Sequence, residues 1–108
     1  MLDYALGIKF TNDNQFATAP ALAGPWSPLA NFALAGSNTF NSQTTFVLPV
    51  TGSATTTFLY MGDRWVPNNL ATSTYIWLPL TLSGASASMS WYPQWTLNTA
   101  TGQWASAP

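Results

Sequence analysis

Two short apolar, β-branched runs flanking one turn constrain this chain more than any other feature. Thr44-Thr45-Phe46-Val47-Leu48-Pro49-Val50 leads into Thr51-Gly52-Ser53-Ala54, and Thr55-Thr56-Thr57-Phe58-Leu59-Tyr60-Met61 returns. Branched and aromatic side chains suit a pleated, half-buried surface, and small polar residues with glycine suit the reversal. The pair therefore predicts an antiparallel hairpin. A third strand is expected over residues 73–78, ended by Pro79, because proline cannot donate to a central ladder. Ser83-Gly84 turns the chain into a fourth strand over residues 87–92. The fold class is thus all-β: an antiparallel four-stranded meander, the unit of a sandwich, a barrel or one propeller blade. Residues 95–98 and 101–104 read as one more short strand and turn. Ahead of the meander, residues 15–19 suggest a strand, residues 22–26 a turn, and residues 28–39 a linker. Helix signals are poor, since eight prolines and seven glycines interrupt every apolar pattern of helical period.

Composition narrows the function. Only Asp3, Lys9, Asp13, Asp63 and Arg64 are charged, and charged residues make up 5% of the chain against an ordinary ~25%. Without a basic patch to hold phosphates, a nucleic-acid partner is not expected. No apolar run approaches the ~18 residues of a membrane span, so no membrane partner is expected either. Cysteine and histidine are both absent. A thiolate or histidine metal centre and a Ser-His-Asp triad cannot be assembled from these residues, and no cofactor is expected. Six Trp, four Tyr and six Phe supply large apolar faces. Such side chains fill cores and also stack on sugars. Residues 1–10 do not read as a signal peptide.

The residues able to do chemistry are few. Asp63 and Arg64 sit among aromatics in Tyr60-Met61-Gly62-Asp63-Arg64-Trp65, at the end of an expected strand. Charges so placed either form a structural ion pair or hold a ligand. Asp13 falls in a polar loop. Asn38-Thr39-Phe40-Asn41-Ser42-Gln43 leads directly into the first meander strand, where turn chemistry alone accounts for its polarity. Trp65 and Trp77 could each stack on a sugar or fill a core, and Trp77, in mid-strand, is expected in the core.

Four blocks in order carry a family resemblance. They are Gly24-Pro25-Trp26-Ser27, then Gly36-Ser37-Asn38-Thr39-Phe40-Asn41-Ser42-Gln43-Thr44, then Tyr60-Met61-Gly62-Asp63-Arg64-Trp65, then Ser73-Thr74-Tyr75-Ile76-Trp77-Leu78-Pro79-Leu80. From about Asn12 onward the chain resembles glycoside hydrolase family 43, in its exo-β-1,3-galactanase (galactan 1,3-β-galactosidase) branch. The resemblance implies part of a five-bladed β-propeller: a single partial domain over residues 1–108, about one and a half blades, with residues 1–35 ending one blade and residues 36–108 forming the last. It implies inverting hydrolysis of β-1,3-galactan by a secreted enzyme whose partners are β-galactan or arabinogalactan side chains. It assigns Gln43 the place of the usual catalytic base, with Asn41, Ser42, Asp63, Arg64 and Trp65 as substrate-binding residues. The family's general acid is a Glu, and this chain has none, so the chain is expected to be a fragment inactive on its own. Two other readings remain open on the residues alone: a stand-alone carbohydrate-binding β-domain, and a structural β-protein with no ligand.

Overall fold

The computed structural model describes residues 13–107. Asp3 and Lys9 lie outside the described residues. Strands β1 (Gln15–Phe16) and β2 (Ala30–Asn31) form a small ladder, and a tight turn at Asn38–Asn41 follows. The main sheet is built from β3 (Gln43–Thr51), β4 (Thr56–Arg64), β5 (Thr74–Ser83) and β6 (Ser86–Ser88), each antiparallel to the one before. A terminal hairpin pairs β7 (Trp95–Asn98) with β8 (Gln103–Ser106). The all-β class and the four-stranded meander are therefore as the sequence implies.

Alternation decides which face is buried. Val47, Tyr60 and Leu78 are cross-strand partners, as are Phe58 and Leu80. On this face Tyr60 is 0% and Leu78 1% exposed, and they form the core with Phe32, Ile76, Leu80 and Met89. Each such apolar side chain contributes on the order of 1.5–3 kcal/mol by leaving water. Phe32 comes from the segment expected to be a linker. It packs against the Tyr60 ring at 5.7 Å between centroids, and its carbonyl accepts from the Met89 N–H at 2.6 Å. The segment is a structural member, because two-residue strands carry too little pattern to be seen in sequence.

Three further expectations are corrected. Pro79 does not end its strand: β5 runs on to Ser83, with Pro79 opposite Leu59. Proline is tolerated there because β6 pairs only with Thr81 to Ser83, leaving the earlier part of that side of β5 without a ladder to supply. The fourth strand is shorter than expected, and Trp91 and Tyr92 lie beyond it. Trp77 is not in the core but 53% exposed. Ile76 and Leu78 face inward, so the residue between them must face outward. Phe46, Leu48 and Tyr75 are exposed as well, and with Trp77 they make the second face of the sheet apolar and open.

The terminal hairpin is fixed to the β3–β4 turn by backbone. The N–H groups of Ala54 and Thr55 both donate to the Thr101 carbonyl at 3.0 Å. Gly102, at φ +79°, lets the two turns touch: a Cβ there would fall 2.0 Å from the Thr55 carbonyl oxygen. Only glycine fits both that conformation and that contact.

Candidate functional site

The site is organised by an unusual turn. Asn38, Thr39, Phe40 and Asn41 have φ of 54°, 53°, 55° and 58°, all in the left-handed region. An L-residue there loses roughly 1–2 kcal/mol to Cβ–carbonyl contact, and asparagine tolerates it best. The turn persists because its surroundings hold it. Asp13 accepts from the Gly36 N–H and the Asn38 N–H, both at 2.8 Å. The Asn14 N–H donates to Thr39 Oγ1 at 2.7 Å. Asn14 Oδ1 in turn accepts from the Thr44 N–H at 2.7 Å and from the Thr44 hydroxyl. Thus the polar loop at Asp13 clamps the chain on both sides of Gln43, a role its sequence setting did not show.

Ser42 was expected to meet substrate. The structure buries it completely, at 0% exposure. Its hydroxyl donates to the Thr39 carbonyl at 2.5 Å and lies 2.8 Å from the Tyr60 hydroxyl. Alternation explains this: Ser42 follows the turn inward, and Gln43 comes out on the other side. Ser42→Ala should therefore lower stability by about 1–3 kcal/mol, the usual cost of breaking a buried bond. A chemical-denaturation midpoint measures it, and an unchanged midpoint would return Ser42 to the ligand-facing list.

Gln43 opens β3 and is the register partner of Asp63, itself opposite Tyr75. Gln43, Asp63 and Trp65 are all half-buried, and Asn41 is exposed. The Trp65 indole N–H donates to Gln43 Oε1 at 3.0 Å. A one-residue bulge at Thr45 separates this end of the strand from the regular ladder beyond, and bulges re-aim the side chains beside them.

Asp63 and Arg64 do not pair. Consecutive strand residues point to opposite faces, so their side chains diverge. The Arg64 guanidinium donates instead to the Phe40 carbonyl at 2.8 Å and lies 5.2 Å from the centre of the Trp91 ring. Phe40 packs on the same indole, with centroids 5.8 Å apart. Arg64 Nε is buried and lacks a partner. Arg64 thus ties the left-handed turn to β4, and Trp91, which the sequence did not single out, completes its setting. Among the described residues, no three His, Cys, Asp or Glu side chains converge as a metal centre would require.

The expected site residues therefore gather at one end of the sheet: Asn41, Gln43, Asp63 and Trp65 accessible in part, Arg64 beneath the turn, and Ser42 inside. No protein-family model and no curated protein matches the chain. Solved structures do. An exo-β-1,3-galactanase from Clostridium thermocellum superposes with a TM-score of 0.81 at 33% identity, over 89% of this chain and 21% of its own. One from Phanerochaete chrysosporium, solved with β-1,3-galactotriose, gives a TM-score of 0.80 at 38% identity, over 91% of this chain and 22% of its own. A third, a β-1,3-galactosidase of glycoside hydrolase family 43 solved with galactodeoxynojirimycin, gives 0.70 at 31% identity, over 82% of this chain and 26% of its own. The chain belongs to glycoside hydrolase family 43. This family 43 chain spans about a fifth to a quarter of the length of these relatives.

Proposed function

We propose that this chain is part of a secreted exo-β-1,3-galactanase, a five-bladed propeller in which the β3–β6 meander is one blade. Its neighbours in structure include exo-β-1,3-galactanases, and three of those structures were solved with galactotriose or galactose. The open apolar face at Phe46, Leu48, Tyr75 and Trp77 supports the blade reading, since contiguous exposed apolar side chains of this kind mark surfaces that meet another surface. The remaining blades would cover it.

The observation that carries the reading is Gln43: a half-buried amide, immobilised by Trp65, at the mouth of a strand whose approach is held in a strained turn. Strain of this kind is concentrated at working sites. In inverting hydrolysis an acid protonates the leaving oxygen while water attacks the anomeric carbon from the opposite face. Gln43 is a poor proton acceptor but can orient that water through its amide. Asp63 and Asn41 would take hydrogen bonds from sugar hydroxyls, and Trp65 would border the ring. Arg64 would act from beneath, by fixing the turn. The acid, a Glu in this family, would come from residues outside this chain.

Exchange of the matching segment of the Clostridium thermocellum enzyme for residues 13–107 tests the proposal. The chimera is expected to release galactose from β-1,3-galactan, with the α-anomer appearing first by proton NMR. A folded chimera that binds galactotriose without turnover would instead support a carbohydrate-binding module.

A further inference from the structure

We infer that Trp65 is a positioning residue that acts through Gln43, fixing which atom of the amide is oxygen and where that oxygen lies. The inference rests on the proposed role of Gln43 in orienting water. A glutamine amide turns easily about its last torsion, and its two ends differ only in that one accepts and the other donates. An indole N–H donates and never accepts. The 3.0 Å contact from Trp65 Nε1 therefore selects the oxygen for that end. Gln43 makes no other side-chain hydrogen bond among the described residues. With one lone pair taken by Trp65, the amide presents its remaining lone pair and its NH2 group. An acceptor beside a donor can hold one water in a single orientation, or a water and a sugar hydroxyl together. A freely turning amide would offer that arrangement only part of the time.

The backbone supports the same assignment. Gln43 lies across the sheet from Asp63, and Trp65 is the residue that follows the end of β4. Arg64, between Asp63 and Trp65, is tied to the Phe40 carbonyl, so the turn before Gln43 and the segment carrying Trp65 are held to each other. The family resemblance makes Trp65 a substrate-binding residue, a role that would show as substrate affinity. A positioning role shows in turnover.

The test is a double-mutant cycle in the complete enzyme that carries these residues. Trp65→Phe keeps a ring and removes the N–H. It is expected to lower kcat about 10-fold or more with KM within about twofold, since small misplacements of a reacting group cost rate before affinity. Gln43→Ala should lower kcat about 10²-fold, and the double variant should be no slower than Gln43→Ala alone, as befits residues acting as a unit. Replacing Trp65 with 3-benzothienylalanine, which keeps the shape and lacks the N–H, should reproduce the loss even if Trp65→Phe unfolds. A raised KM with unchanged kcat, or losses that multiply in the double variant, would overturn the inference and leave Trp65 a stacking residue. A silent Trp65→Phe beside a slow Gln43→Ala would remove the positioning role alone. Wild-type kcat in Gln43→Ala would remove the proposed function of Gln43 and this inference together.

Discussion

Incubated with β-1,3-galactan, the 108-residue chain alone is expected to release no galactose above the blank. The leaving sugar needs a proton on its oxygen to depart as an alcohol rather than an alkoxide, and the chain contains no Glu to give it. Asp63 is the register partner of Gln43 on the adjacent strand. Acid and water-positioning group must work on opposite faces of the ring, with ~6.5–9.5 Å between them in inverting enzymes, so neighbours on one sheet face are poorly placed for both roles. Loss of a general acid alone typically lowers the rate by about 10²–10⁴, and the chain spans only about a fifth of the Clostridium thermocellum enzyme's length. Reducing-sugar release, followed over hours at high protein concentration, decides the matter. Turnover at rates ordinary for such enzymes would mean that an Asp of this chain is the acid.

In the complete enzyme, Gln43→Ala is expected to lower kcat by about 10² or more while the protein stays folded. The substitution removes the amide and its bond to Trp65 but leaves the strained turn and its clamps, which act through Asp13, Asn14 and the backbone. Gln43 is only partly buried, so truncation should change stability by no more than about 1 kcal/mol. Steady-state kinetics and a thermal melt on the same preparation separate the two effects. A protein with an unchanged melt and wild-type kcat would assign the water to another group. A protein that melts early and turns over normally per folded molecule would make Gln43 a structural residue.

The main sheet was legible because its evidence is local. Thr-, Val- and aromatic-rich runs bounded by Thr51-Gly52-Ser53-Ala54 and Ser83-Gly84 name strands and turns without knowledge of anything distant. Trp77 and Pro79 were misread for a shared reason: both depend on what lies beside β5, and sequence does not say which strand edge is bare or which face meets solvent. The candidate residues could be named from sequence as residue types, and the structure places Asn41, Gln43, Asp63 and Trp65 at one end of the sheet. Their supports could not. Asp13 and Asn14 act on residues more than twenty positions away, and Trp91 meets Arg64 only after β6 has ended. Asparagine tolerates left-handed backbone at Asn38 and Asn41, but Thr39 and Phe40 between them do not favour it, and long-range clamps hold the four in place.

The left-handed turn also limits how this protein can be made more heat-resistant. Domains fold with a net margin of only about 5–15 kcal/mol, and four consecutive residues at positive φ draw on that margin in one place. Glycine at Thr39 or Phe40 would relieve the conformation and is the kind of change a thermostability screen rewards. It would also free the backbone that leads into Gln43 and withdraw the Thr39 hydroxyl or the Phe40 ring from its partners. If Gln43 acts as proposed, gains in melting temperature found here would come at the expense of turnover. An engineer seeking durability would do better on exposed surface far from the turn, such as the β5–β6 connection, and leave these four residues as they are.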